Sequence, residues 1–449
     1  MADKAAQRDP SQSAVGGCAA AAPCLLSAKI PPYTGLVTLL PLPTMPLLLT
    51  LNAGSSSIKF SLNPLPEAKG TPLPAPLAHG QVSGIGGAAA RLSLQSSLHG
   101  KQEQTLPAAA AERSGHEQAL DAVLGWLEQH LPGQKVALVS HRVVHGGVHF
   151  AQPVRIDAQV LAQLDALAPL APLHQPHNLA GIRSAMAAFG QALQVACFDT
   201  AFHRQHPFVA DTFALPRRFY DEGVRRYGFH GLSYEFIARA LQTNWPALHQ
   251  GRVIVAHLGN GASMCALQQG VSIDSSMGFT ALDGLPMGTR CGQIDPGVLL
   301  YLLTEKGYSP AQLTELLYQQ SGLKGLSGLS NDVRELLQSG QPQAAQALDY
   351  FVARCKREIG ALSASLGGLD ALVFTGGIGE NAVAMRQRIV QDLGWIGIDL
   401  DEAANAAVHA GAQPLGPISR PGSRVTALVL PTDEERMLAE HALALWQAV

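Results

Sequence analysis

Two stretches of this chain repeat one another in outline: TLNAGSSSIKF (Thr50 to Phe60) and VAHLGNGASMCAL (Val255 to Leu267). In each, an apolar run reaches a tight turn of Gly, Asn and small hydroxyl residues and then re-enters an apolar run, which predicts a β-hairpin rather than a strand-to-helix loop. A Gly-rich concavity lets the backbone approach oxygen closely, and Asn, Ser and Lys add donors, so phosphate is the expected anion. Taken singly, each stretch reads equally well as an ordinary polar hairpin turn. Together, about 200 residues apart, they predict duplicated halves gripping one polyphosphate across a cleft.

Other residues capable of chemistry cluster where apolar runs end. SHRVVHGG places Arg142 in a strand that closes on a glycine pair. His145 and His149 have helical metal-ligand spacing, but Gly146 and Gly147 between them argue against a helix and so against zinc. ACFDTAFH ends a strand on Asp199, which either holds a cation and orients a substrate or caps the next element. RRYGFHG brings His230 onto a loop, where a histidine is often merely solvated, and MGTRCGQIDPG sets Arg290 in a turn where an arginine is more often structural than catalytic. FTGGIGEN (Phe374 to Asn381) follows a strand and precedes a helix, lacks the GxGxxG spacing of a dinucleotide fold, and can let a flat base or ribose approach the backbone. The only Gly-Lys pair, Gly100 and Lys101, is followed by Gln102, which excludes a P-loop enzyme. Asp433, Glu434 and Glu435 open the last predicted helix, where favourable charge at a helix N-terminus, worth ~0.3 to 1 kcal/mol, is by itself a sufficient explanation.

The elements that must position these residues alternate in the α/β manner. Apolar strand candidates are Leu47 to Leu51, Val136 to Val139, Leu193 to Phe198, Val253 to His257, Ala371 to Thr375 and Val425 to Leu430. Helical patterns cover Glu117 to His130, Ile182 to Ala188, Tyr234 to Gln242, Pro310 to Gln320, Ala344 to Leu366 and Glu434 to Ala448, while Pro64 to Gly80 and Gly411 to Gly422 read as surface loops. A chain of 449 residues suits two domains. Net charge is −3 with 14% charged residues, so no global field recruits nucleic acid or an anionic membrane. Cys18, Cys24, Cys197, Cys265, Cys291 and Cys355 form no CxxC pair and read as reduced cytosolic thiols, which predicts a cytoplasmic protein. Residues 1–45 are Ala-, Ser- and Pro-rich without a period and are read as disordered or untranslated, with Met45 as the alternative start. The apolar stretch Leu36 to Leu51 holds Pro41, Pro43 and Pro46 and is shorter than the roughly 20 residues of a membrane helix.

TLNAGSSSIKF, SHRVVHGG, APLHQPHN, CFDTAFH, YGFHGLS, HLGNGAS, SMGFTALDGLPMGTRCGQIDPG, FTGGIGEN and PTDEE occur in the order seen in the acetate kinase family, and from about Pro46 onward the chain resembles it throughout. The resemblance implies an α/β fold of two duplicated ribonuclease H-like domains, as in actin, sugar kinases and the Hsp70 ATPase, around an interdomain cleft. The expected division is 46–201, completed by a C-terminal helix 435–449, and a nucleotide-binding and dimerisation domain 202–434. The implied activity is reversible transfer of the ATP γ-phosphoryl group to acetate, giving acetyl phosphate and ADP, with Mg2+ or alternatively Mn2+, in a cytoplasmic homodimer that feeds acetyl-CoA and acetate interconversion.

The resemblance also implies roles. Arg142 and Arg290 would hold the carboxylate and the phosphoryl oxygens, His230 would donate to the transferring group, and His174 would line the same site. Asp199, Glu434 and Asn52 match the magnesium region, with Asp199 orienting metal and substrate rather than acting as a base. Ser55, Ser57 and Lys59 of the first hairpin and His257, Gly259, Asn260 and Gly261 of the second would face the phosphates. Asp332, Val333 and Arg334, with Gly376, Gly377, Ile378, Gly379 and Asn381, would surround ribose and base; Val333 replaces the family's aromatic residue. Val144, Leu173 and Phe229 match the acyl pocket, and Ala281 stands where the family usually has proline. A smaller side chain there admits an extra methylene, worth roughly 1 to 3 kcal/mol of discrimination, so propionate is an expected second substrate. Cys291 and Gln293 replace the usual Ser and Asp beside Arg290. Two rival readings, a noncatalytic nucleotide-dependent binding protein and a sugar or polyol kinase, fit less well, because the chain ends soon after Glu434 and the predicted pocket is apolar.

Overall fold

The computed structural model describes residues 45–448 except 55–56, 86, 88, 108–114, 173 and 409–415. Ser55, Leu173 and residues 1–44 of the expected extension lie outside the described residues. Two sheets carry the chain. The first runs β5-β4-β3-β2-β1-β6-β8-β7, with β1 (Pro46–Ala53), β2 (Ser57–Pro64), β3 (Ala78–Ser83), β4 (Arg91–Ser96), β5 (Gly100–Thr105), β6 (Lys135–Val143), β7 (Val154–Arg155) and β8 (Leu193–Phe198). The second runs β11-β10-β9-β12-β13, with β9 (Arg252–Leu258), β10 (Ala262–Gln268), β11 (Val271–Ser275), β12 (Ala371–Thr375) and β13 (Thr426–Val429). In each, three antiparallel strands are followed outward from the first by two parallel ones: β3-β2-β1-β6-β8 in the first sheet and β11-β10-β9-β12-β13 in the second.

Both motifs that open the sequence argument form the predicted hairpins, with Asn52 opposite Lys59 in β1/β2 and His257 opposite Ser263 in β9/β10. β1 and β9 read as unbroken apolar runs because they lie centrally in their sheets, covered on both faces. β3, β4 and β5 escape that reading. β4 alternates buried Leu92, Leu94 and Ser96 with more exposed residues, and β5, at the edge, buries none, so neither offers a continuous apolar signal. The loop expected to reach Gly80 therefore ends where β3 begins at Ala78.

Helices cover the sheets by apolar faces at three- and four-residue spacing. Pro342–Leu366 buries Ala344, Ala347, Leu348, Phe351, Cys355, Ile359 and Leu362, and ends on Gly367 at φ 68°, whose N–H returns to Ala364 and Ser363. The helix Glu434–Gln447 starts with the Asp433 carboxylate accepting from Arg436 N at 2.8 Å. Its Met437, Leu438, Ala442 and Leu443 pack with Leu48, Leu138, Val195 and Cys197 of the first sheet, and Ser140 Oγ donates to Leu438 O at 2.8 Å. The last helix thus lies on the first sheet and sets Glu434 beside β6.

Leu138 is fully buried at the centre of that contact. Leu138→Ala is expected to lower the unfolding free energy by about 2 to 5 kcal/mol, read from the urea midpoint at unchanged slope; a loss below about 1 kcal/mol would show that the helix is not held there.

Candidate active site

β6 and β8 are parallel neighbours, with Arg142 opposite Cys197, so Arg142 projects from one strand where the chain leaving the other turns at Asp199. Arg142 Nε donates to Asp199 Oδ1 at 2.9 Å and Oδ2 at 3.0 Å, and Nη2 donates to the same carboxylate. Its Nη1 donates to Asn52 Oδ1 at 2.9 Å. Asn52, at the end of β1, spends its amide hydrogens on Glu434 Oε2 at 3.1 Å and Glu435 Oε1 at 3.0 Å. Glu434 also lies 4.0 Å from Arg142 Nε. Four remote segments thereby meet on one guanidinium.

Burial opposes charge on Arg142, but Asp199 and Glu434 outweigh it and its pKa rises. Glu434, also buried, is held below the ordinary carboxylate value by Arg142, His257 and Lys59 together with the Asn52 amide. Burial pushes Asp199 and Glu435 the other way: Arg142 and Lys59, respectively, pull against it without prevailing, and Glu434 repels both. The cluster therefore carries more negative charge than its cations compensate. Hard oxygen donors with uncompensated charge fit a divalent cation such as Mg2+, which keeps waters and takes phosphate oxygens rather than demanding an all-protein cage. Among the described residues no group of three or more His, Cys, Asp or Glu converges as a metal site by itself.

Facing this cluster are His230, His257, Arg290 and His174. His230 sits at φ 57°, left-handed backbone that a non-glycine residue adopts at a cost. Gly231 holds it there: its N–H donates to Asp199 O at 2.9 Å, and a Cβ on Gly231 would lie 2.2 Å from that oxygen. The His230 and His257 rings stack at 4.3 Å between centroids. His230 Nδ1 meets Ser263 Oγ at 2.8 Å, and its Nε2 lies 3.3 Å from where a Cβ on Gly261 would stand. Burial, then the neighbouring His257, Arg142 and Arg290, hold His230 neutral. His174 is depressed to about 3 by burial and by the same two arginines.

Arg290 has the opposite balance to Arg142. Its Nη1 donates to Ala281 O at 3.0 Å, and among the described residues no carboxylate pairs with it. Burial, with Arg142 nearby, lowers its pKa. A partly buried guanidinium without a counter-ion among the described residues is suited to an incoming anion. Beside it a narrow pocket is lined by Val144, His174, Phe229 and Ala281 together with Thr280 and Tyr318. Four predicted residues meet there; Tyr318 was not predicted, because nothing in its helical surroundings marks a tyrosine at that position as pocket-facing. Gln293 accepts from Arg354 Nη2 at 2.6 Å and, among the described residues, makes no hydrogen bond to Arg290.

The remaining predicted residues spread along the second sheet. Gly259 stands beside Gly377, where a Cβ would reach its N at 3.9 Å, and Asn260 accepts from Asn331 Nδ2 at 3.2 Å. FTGGIGEN is not a loop before a helix: Gly376–Asn381 is itself helical, turned off β12 by Gly376 at φ 77° and capped by Glu380 Oε1 accepting from Gly376 N. Ile378 packs on the core, Gly379 O receives Arg386 Nη1, and Asn381 Nδ2 donates to Gly377 O at 2.8 Å. Asp332 caps the helix Val333–Gln338 and pairs with exposed Arg334. Val333, expected against a base, is 3% exposed and packs into the core instead, because it faces inward at the first position of that helix. Ser57 and Lys59 lie on β2; Lys59 and Glu435 also line a larger groove of about 660 Å3 on the first sheet. Glu435 is the cluster member that helix-end charge alone had hidden.

The chain matches the Acetokinase family over residues 47–440. It is 53% identical over 399 residues to an acetate kinase of Methylocella silvestris, covering 88% of this chain and 97% of that one. An acetate kinase of Rhizobium meliloti is 50% identical over 407 residues, covering 90% and 99%. Among solved structures, an acetate kinase of Porphyromonas gingivalis superposes with a TM-score of 0.77 at 37% identity, and a propionate kinase of Francisella tularensis with 0.78 at 35%; each comparison covers 89% of this chain and 100% of the other.

Buried neutral imidazoles make the site acid-labile. Burial foremost lowers His141, His203 and His257 from 6.5 to about 4 and His174 to about 3. The unfolded chain takes up these protons before the folded one, so stability is lost as pH falls from about 6.5 toward 4. Asp199 and Glu435, raised in the folded state, offset part of this. Urea midpoints should fall steadily over that interval; a constant midpoint would contradict the neutral assignments.

Proposed function

The chain belongs to the acetokinase family, and from that membership we propose how its residues carry out the ATP-dependent phosphorylation of acetate. The fold is the duplicated ribonuclease H-like one of the related kinases. The observation that carries the reading is Arg290: a partly buried guanidinium with no carboxylate partner among the described residues, beside a narrow, mainly apolar pocket.

Acetate, with a pKa near the ~4 of Asp and Glu, is already ionised at neutral pH, so no base need create the nucleophile. The obstacle is repulsion between two anions, and catalysis is positioning with electrostatic stabilisation of an in-line transfer. Arg142 is compensated by Asp199 and Glu434 and serves mainly to fix geometry, whereas Arg290 has its charge free for the phosphoryl oxygens. His230, neutral, donates to the transferring group, and His174 closes the carboxylate end. Val144, Phe229 and Ala281 hold the methyl group. Asn52, Asp199 and Glu434 would hold a divalent cation, which would supply charge to offset the phosphates. Gly259, Asn260 and Gly261 face the phosphates, and Gly376 to Asn381 with Asp332 border the nucleoside. Domains divide near residue 201, with the last helix completing the first. Acetyl phosphate and ADP are the products, and the cytoplasm is the compartment; among the described residues no helix is long and apolar enough to cross a membrane.

The enzyme is proposed to work as a homodimer. The helix Pro296–Thr304 is almost wholly apolar yet buries no residue, leaving Val298, Leu300, Tyr301 and Leu303 exposed. A contiguous apolar face of this kind fits the same face of a second copy.

Steady-state kinetics with magnesium-ATP and acetate, propionate, butyrate or glycerol tests the activity: carboxylates should react and glycerol should not, with kcat/KM highest for acetate or, if Ala281 sets the pocket, for propionate. Arg290→Ala should leave ATP binding nearly intact while lowering kcat by roughly two to three orders of magnitude; near-normal turnover would refute the role. Leu300→Arg should shift the protein from dimer to monomer in sedimentation, and an unchanged dimer would move the interface elsewhere.

A further inference from the structure

Ser263 and Tyr234 surround the back of His230. Ser263 Oγ lies 2.8 Å from His230 Nδ1 and 2.5 Å from Tyr234 Oη, and both residues are buried, at 1% and 0% exposure. Tyr234 sits four residues after His230 at the start of the helix Gly231–Asn244, and Ser263 sits on β10 opposite His257, so two separate elements fix the three groups.

The hydrogens on this chain can be arranged in two ways. In one, Tyr234 donates to Ser263 Oγ and Ser263 donates to His230 Nδ1, leaving the imidazole hydrogen on Nε2. In the other, His230 Nδ1–H donates to Ser263, and either Ser263 donates to Tyr234 and the phenolic hydrogen needs a further acceptor, or Tyr234 also donates to Ser263 and the serine hydrogen needs one. Among the described residues Tyr234 Oη has no hydrogen-bond partner besides Ser263. A buried donor left unsatisfied is costly, so the first arrangement wins. Its outcome is directional: Nε2 is the ring atom beside Gly261, in the turn of the second hairpin.

We propose that Ser263 and Tyr234 are positioning residues that fix His230 as the Nε2–H tautomer, aiming a neutral N–H donor at the phosphoryl group. This rests on the proposed kinase reading. The relay also opposes protonation: a hydrogen on Nδ1 would leave either the Ser263 or the Tyr234 hydroxyl hydrogen without an acceptor among the described residues. His230 therefore delivers a hydrogen bond without releasing or accepting a proton during transfer.

The direct test is nitrogen-15 NMR of the whole protein labelled at histidine, with His230 assigned by its loss in His230→Asn. Nε2 should be protonated and Nδ1 unprotonated in the wild-type enzyme at neutral pH; a predominantly Nδ1–H ring, or an imidazolium, would overturn the proposal whether or not the enzyme is active. Kinetics supply the second arm. Ser263→Ala should lower kcat about ten-fold with the KM for ATP little changed, Ser263→Thr should restore most of it, and Tyr234→Phe should lose less than Ser263→Ala. Unchanged kcat in Ser263→Ala, or no recovery in a folded Ser263→Thr, would refute the positioning role. A wild-type enzyme inactive with every carboxylate would instead reject the kinase reading, and the NMR result would still stand.

Discussion

A largely covered guanidinium held between two carboxylates governs this structure. Removing ions from water costs several kcal/mol each, and only good geometry with further hydrogen bonds offsets that. Arg142 meets the condition by taking Asp199 along its Nε and Nη2 edge and Asn52 at Nη1, with Glu434 adjacent. The partners arrive from the end of β1, from the turn after β8 and from the first turn of the last helix. The ion cluster accordingly requires that the helix Glu434–Gln447 lie on the first sheet, and the packing of Met437, Leu438 and Leu443 on Leu48 and Leu138 supplies the apolar burial that keeps it there.

Around that cluster the cleft divides its labour by protonation state. His174 and His257 are driven neutral by burial, and so is His230. Positive charge around the cluster is thus left to Arg142, Arg290 and Lys59 rather than to imidazolium groups, and the guanidinium groups do not titrate near neutral pH. Arg142 is already matched by acids and Arg290 is not. One arginine therefore gives rigidity and the other gives field.

Much of this could be read from the chain itself. Hairpins β1/β2 and β9/β10 stood out because a central strand is an unbroken apolar run interrupted by a turn of small polar residues. β3 to β5 did not, because half-exposed strands lack such a run. Arg142, Asp199, His230 and Arg290 were recognisable as candidates, but their pairing was not: Arg142 reaches Asp199, 57 residues away, only through the register of β6 on β8. Ser263 and Glu435 were obscured for a similar reason, being small or terminal residues with adequate local explanations. Val333 misled because motif position says nothing about which way a side chain faces, and here it faces the core.

The substitutions beside Arg290 bear on how specificity and rate are linked. Gln293 is turned toward Arg354, and among the described residues its side chain makes no hydrogen bond to Arg290. Arg290 Nη1 is held by the carbonyl of Ala281, the residue that also lines the narrow pocket proposed for the acyl group, and by Met287 Sδ at 3.6 Å. A change at 281 that alters the room for the acyl chain also alters the carbonyl that aims the charge, most strongly if it restores proline and restricts the backbone. Residues coupled through a shared contact do not contribute additively. On the proposed roles, chain-length preference and turnover share one local geometry, and a double-mutant cycle across positions 281 and 290 is expected to return a nonzero coupling on kcat as well as on the acetate to propionate ratio.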